Sequence, residues 1–223
     1  MKNNYINKVI ELAQKEILTP TWGVTEQFFT VHEPLLRNGK PEVARVDETR
    51  EEGLYYIYFP IKDQSYFFVL IIEKANDELK ISGAYNEARV LTYLLIGSDS
   101  TAPDAITKRI GIKPTEVSVK GTPRRHGNGH YNTNMWTYEP QKDCPDELER
   151  KLAILLGHLS SHSAALAELS KTCEISINIV YHSYQGFGSL GGFHITNNII
   201  KKIAKLDIGV DFDLYVSGPE LEE

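Results

Sequence analysis

Cysteine is scarce in this chain: Cys144 and Cys173 are the only two in 223 residues. They allow at most one bridge, which excludes the disulfide framework that holds small secreted domains together. Long apolar runs are missing too. The longest, Tyr66–Ile72 and Val90–Ile96 (the latter crossed by Thr92), cover seven residues each, against the roughly 20 a membrane-spanning helix needs. The opening MKNNYINKVIELAQ has no apolar core of the signal-peptide kind. Positive charge is not in excess either: 24 Lys and Arg face 30 Asp and Glu, a formal charge of −6. Counted along the chain, residues 1–85 carry −3, 86–139 carry +2 and 140–223 carry −5. General nucleic-acid binding and anionic-membrane binding both need a basic face, so neither is expected. The expectation is a cytoplasmic protein with free thiols.

What is present, 41% apolar and 24% charged residues, is ordinary globular composition. Tyr5, Ile6, Val9, Ile10, Ala13 and Ile17 recur at helical spacing, and Thr19-Pro20 ends that helix. A polar, turn-rich passage extends to Gly53. The period then changes: LYYIYFP (54–60) and SYFFVLIIE (65–73) read as a hairpin, with a third strand over Leu79–Tyr85. One helix against an antiparallel meander is a complete two-layer unit, placed at residues 1–86. Residues 87–218 form the second module, closely joined, and 219–223 a frayed tail. Its expected elements are a strand at Arg89–Gly97, a helix at Asp104–Ile110 opened by Pro103, short strands at Glu116–Lys120 and Met135–Glu139, and one long helix at Asp146–Lys171. A strand pair at Glu174–His182 and Phe187–Phe193, a helix at Thr196–Leu206 and a strand at Ile208–Val216 follow. The fold class is α+β, two-layer, with mainly antiparallel sheets and helices on one face.

Chemistry-bearing residues gather in KGTPRRHGNGHYNTNMWTYE, Lys120–Glu139. Lys120, Arg124 and Arg125 could grip a phosphate or carboxylate through rigid donor forks, with His126 and His130 beside them for acid–base work. The Gly-Asn-Gly turn chemistry favours a hairpin tip, and three ligands on one loop with Cys144 pre-organise zinc poorly. Trp136 and Tyr138 are expected to pack in a sheet. His158 and His162 lack the glutamate of a zinc-protease helix motif and read as a solvated face. Gly186-Phe-Gly-Ser-Leu-Gly191 matches a dinucleotide pattern, but more glycine follows before the next helix and no βαβ series surrounds it. Asp211 and Asp213 on the last strand read as an exposed edge face. No metal and no cofactor is expected.

The strand ending in Gly97, the segment Ile110–Thr115 (IGIKPT), Lys120-Gly121, Trp136-x-Tyr138 and Asp211-x-Asp213-x-Tyr215 occur in order. Over about residues 89–217 they resemble the bacterial domain-of-unknown-function family 4279. That resemblance implies a compact α+β fold and no established chemistry. The first 86 residues are loosely similar to the helix-plus-meander domains of bacterial toxin-immunity proteins. The expected function is a non-enzymatic bacterial binding protein, an immunity or antagonist protein that occludes a toxin or defence component. Lys120, Arg124, Arg125, His126, His130, Tyr131, Tyr184 and Phe187 are its expected contacts. The alternative is a small-ligand binder or enzyme using Arg124, Arg125, His126 and His130 on a phosphate- or carboxylate-bearing molecule.

Overall fold

The computed structural model describes residues 2–76, 78–125, 127–142, 144–184 and 192–219, the side chains of 2–4 excepted. The chain divides into two compact units. The first takes residues up to Arg89 with 182–184 and 214–219; the second takes 90–181 and 192–213.

In the first unit, helix α1 (Lys2–Leu18) is followed by α2 (Gly23–Phe29), a two-residue-strand hairpin of β1 (Leu36–Arg37) and β2 (Lys40–Pro41), and β3 (Arg45–Asp47). Then come β4 (Leu54–Pro60), β5 (Phe67–Ala75) and β6 (Glu78–Glu87). The sheet order is β3-β4-β5-β6, antiparallel throughout, with Ile57 opposite Leu70 and Val69 opposite Tyr85. One sheet face sends Ile57, Phe59, Phe68, Leu70 and Ile72 against Val9, Ala13 and Ile17 of α1 and Phe28 of α2. The other buries Tyr58, Phe67 and Val69, with Tyr56 and Tyr85 packed against them. Burial on both faces is why β5 reads as an unbroken apolar run rather than an alternating one. The turn between the helices is fixed by Glu16, which is buried. Its carboxylate accepts from the backbone N–H groups of Thr21 and Trp22 (3.0 and 2.8 Å) and from the Thr21 hydroxyl (2.6 Å).

The remaining elements, which belong to the second unit except for residues 89, 182–184 and 214–217, are β7 (Arg89–Ser98), α3 (Pro103–Ile110), β8 (Glu116–Ser118), β9 (Asn134–Tyr138), α4 (Leu148–Leu159), α5 (Ser163–Leu169), β10 (Glu174–Tyr184), α6 (Asn197–Leu206) and β11 (Gly209–Ser217). Their sheet runs β11-β10-β7-β9-β8. Buried residues alternate along β7, and Ile96 pairs with Trp136 on β9. Trp136 is fully buried and donates its indole N–H to the Thr107 hydroxyl of α3 at 2.9 Å. Gly111 ends α3 in the left-handed region (φ 76°), its N–H returning to the Thr107 carbonyl at 2.9 Å.

The long helix expected over 146–171 is instead two helices joined by a 3-10 turn at Ser160–His162. The cause is local: the Ser160 hydroxyl bonds back to the Gly157 carbonyl at 2.8 Å and Ser161 to the His158 carbonyl at 3.4 Å. The leucine stripe survives the break, with Leu148, Leu152, Leu155, Leu156, Leu159, Leu166 and Leu169 all buried in one core with Ile106, Ile177 and Ile203. Averaged over its polar residues, Leu148–Leu169 is long and apolar enough to cross a membrane, at mean hydropathy 1.2. That stretch escaped the count of uninterrupted runs. Here its leucines form a protein core.

Candidate functional site

The candidate at Lys120–Glu139, the β8–β9 hairpin, is built by backbone pairing that continues towards its tip. Val117 faces Trp136 in the ladder. Beyond it, the Gly121 N–H donates to the Tyr131 carbonyl (2.8 Å), the Tyr131 N–H to the Thr122 carbonyl (2.9 Å), and Pro123 bridges His130. The pairing therefore continues through Pro123 and His130, and two of the basic side chains meet carboxylates. Lys120 pairs with Asp99 at 3.0 Å, and Arg125 with Glu116 at 3.4 Å. Glu116 also takes Lys142 at 2.9 Å, and that hydrogen bond holds its carboxyl below the usual carboxylate range. Arg124 turns its Nε to the His130 carbonyl at 3.2 Å. The half-buried Tyr131 has its phenol shifted down, first by a bond with Ser118 and then by the Arg125 backbone N–H. Among the described residues, Arg124 is the one cation of the expected trio without a carboxylate partner. Both pairs are exposed, so an anion engaging Lys120 or Arg125 would compete with Asp99 or Glu116. His126 and Phe187 lie outside the described residues, as do the Gly186–Gly191 pattern and most of the strand expected over 187–193. Gly192 and Phe193 are not in a strand.

Tyr184 differs from its expected exposure. It is buried in the first unit, its hydroxyl donating to the Pro219 carbonyl at 2.7 Å and its ring 5.1 Å from Tyr66 and 5.0 Å from His32. The reason is aromatic packing: Phe28, His32, Tyr66 and Tyr184 form one cluster that leaves no ring face for a partner. Lys151 of α4 is also buried, its ammonium reaching the Gln141 carbonyl at 3.3 Å. His158 sits at the end of α4, bonded to the Tyr138 hydroxyl at 2.6 Å, while His162 falls in the 3-10 turn. The break removes the shared helical face. Among the described residues, no group of three or more His, Cys, Asp and Glu is placed to hold a metal ion.

Two further features emerge. The second unit has an open polar cleft of about 600 Å3, lined by Ser98, Asp99 and Ser100 at the end of β7, by Asn132 and Thr133, and by residues 170–174. Two of its polar groups are already engaged: the Ser98 hydroxyl accepts from the Thr101 N–H at 3.0 Å, and the exposed Lys171 pairs with Glu168 at 2.7 Å. The other feature is β11, at one end of its sheet among the described residues. Val210, Phe212, Leu214 and Val216 alternate with Asp211, Asp213, Tyr215 and Ser217, so each set shares a face. The apolar row is not covered: Phe212 is 41%, Leu214 56% and Val216 42% exposed. Phe193, also exposed, stacks on Phe212 at 5.1 Å, and Tyr215 on the other face stacks on His182 at 5.0 Å. Burial, and after it the charge of Arg89, lowers the His182 pKa.

The family model described as "Domain of unknown function (DUF4279)" matches residues 86–217, well over half of the chain. The chain belongs to the DUF4279 family. Among curated proteins and among solved structures, none matches. The DUF4279 segment includes the hairpin, the polar cleft and β11, and leaves α1 through β5 outside it. Sequence reasoning placed Asp211 and Asp213 on an edge strand but missed the apolar row between them. The signal was there, in the strict alternation of 210–217 with four apolar members. The cleft had none, because its walls come from three separated segments.

Proposed function

We propose that this DUF4279 protein is a non-enzymatic binding protein that docks other chains by strand addition at the free edge of β11. The observation that carries this reading is a nine-residue edge strand with an exposed apolar row. A sheet edge offers a ladder of backbone donors and acceptors, and proteins that leave it unused blunt it with charged residues (lysine above all), proline or a bulge; the charges of β11 are Asp211 and Asp213. β11 contains neither lysine nor proline. In strand addition, backbone bonds supply affinity and alternate side chains supply selectivity. Asp211 and Asp213 would favour a strand with basic or hydroxylic residues at alternate positions, in keeping with the chain's net charge of −6. The loose similarity of the first 86 residues to toxin-immunity domains supports a bacterial, cytoplasmic antagonist that occludes its target.

Comparative capture from the native host tests this. Tagged wild-type protein and Arg124→Ala are expected to retain the same stoichiometric companion chain, and Leu214→Lys to lose it. A companion held equally by Leu214→Lys, or lost only with Arg124→Ala, would move the site away from β11 to the hairpin tip.

A further inference from the structure

The proposed reading identifies the edge but not what covers it. We infer that the resting occupant of β11 is a second copy of this chain, paired antiparallel about a two-fold axis at Leu214. This rests on the edge-strand reading and adds the partner and the register.

The argument is the self-complementarity of the strand GVDFDLYVS. In an antiparallel pair, directly opposed residues share a face with Cβ atoms about 4.5–5.5 Å apart, and opposed like charges are unfavourable. A two-fold axis normal to the sheet sets each residue against the one equally far beyond the centre. Centred on Leu214, Leu214 meets itself and Phe212 meets Val216, so the exposed row of both copies closes into three apolar pairs. On the other face Asp213 meets the Tyr215 hydroxyl and Asp211 meets the Ser217 hydroxyl, acceptor against donor in every case. The neighbouring registers fail. A centre at Asp213 or at Asp211 sets a carboxylate against itself, and a centre at Phe212 sets Asp211 against Asp213 twice. A centre at Tyr215 puts Phe212 against Gly218, whose φ of +107° leaves the extended region, and Asp211 against Pro219, which has no N–H. One register satisfies both faces over seven residues, and it uses the residues whose exposure is otherwise unexplained. Pairing of this kind is isologous and closes as a dimer. It also protects the edge: a partner strand must exchange with the second copy, so capture of a partner weakens as the chain's own concentration rises.

The test is the oligomer and its geometry. The wild-type protein is expected to show a dimer mass by light scattering at tens of micromolar, and Leu214→Lys to weaken association by about tenfold or more. In a Cys144→Ser background, with Cys173 buried, Leu214→Cys should oxidise to a linked dimer, because the opposed Cα atoms lie about 4.5–5.5 Å apart, within bridging range. Asp211→Cys in the same background should not, since its own copy is six residues along the strand, roughly 20 Å away. A wild-type monomer throughout that range, equal linking of both cysteine variants, or a Leu214→Lys dimer of undiminished strength overturns the inference. A monomer whose host companion is still lost on Leu214→Lys overturns only self-pairing and leaves strand addition by another chain standing. Loss of neither removes the edge-strand reading as well.

Discussion

Replacing His32 with leucine should both weaken the first unit and flatten its pH response. The ring is 7% exposed and lies parallel to Phe28, centroids 3.9 Å apart. Its Nδ1 is 2.9 Å from the Phe28 carbonyl, which can only accept, so Nδ1 carries the hydrogen. Nε2 therefore accepts from the Tyr66 hydroxyl at 2.8 Å. Leucine fills similar apolar space but orphans a buried hydroxyl and a carbonyl, each worth about 1–3 kcal/mol. A loss of about 3 kcal/mol would lower a urea midpoint by about 1.5 M at a typical slope of about 2 kcal/mol per molar. Burial holds the pKa of His32 below its ordinary 6.5, with the Phe28 hydrogen bond opposing in part. The unfolded chain thus takes up the proton first. The stability that neutral His32 provides is whole above about pH 6.5 and is lost as pH falls from there through the folded pKa. His182 is shifted in the same direction, so the informative quantity is the difference between wild type and His32→Leu in urea unfolding at pH 7.5 and 5.0. An identical pH slope in the two proteins would refute the neutral, Nδ1-protonated assignment.

Three further outcomes are expected. Asp47, its carboxylate 1% exposed, takes Arg45 at 2.7 Å, Arg50 at 3.7 Å and the Thr49 hydroxyl at 2.6 Å. Asp47→Ala should therefore cost about 3 kcal/mol of first-unit stability in urea unfolding. Trp136→Ala removes the largest fully buried side chain of the second unit and the bond to Thr107, a loss of about 3–5 kcal/mol followed by circular dichroism. At Gly218 an added Cβ would fall 2.7 Å from the Tyr184 ring and nearer still to the Tyr66 hydroxyl, at a φ of +107°. Gly218→Ala should destabilise by about 2 kcal/mol, detected as a lowered melting temperature.

Much of this architecture was legible because it is periodic. The leucines of α4 and α5 at helical spacing, the aromatic and β-branched runs of β4 and β5, and Pro103 and Gly111 bracketing α3 each follow from a local rule. The stretch 20–53, read as turns, conceals α2 and β1 to β3. Helix α2 is only seven residues long, and the turn before it is fixed by Glu16 from five and six residues back, a spacing that matches no standard capping pattern. The β1–β2 hairpin did carry a signal, Asn38-Gly39, both at positive φ as the tightest hairpin turn demands. The basic tip was visible in sequence, but its neutralisation was not. Asp99 and Glu116 lie 21 and 9 residues from Lys120 and Arg125, and only the folded sheet, with Asp99 at the end of β7 and Glu116 on β8, brings them together. Tyr184 looked like an exposed anchor because nothing local predicts that His32 and Tyr66 pack around it.

The central claim, that the free edge of β11 accepts an added strand, is tested most directly with synthetic strands. One peptide would copy residues 209–217, and a second would carry Asp211→Lys and Asp213→Lys. Each would be titrated into the isotope-labelled Leu214→Lys and wild-type proteins while the backbone amide signals of β11 are followed. Saturable shifts confined to β11 and its neighbour β10 in the wild type, weakened in Leu214→Lys, are the expected result. Shifts at the β8–β9 hairpin tip instead, or none at β11 with either peptide, would contradict it.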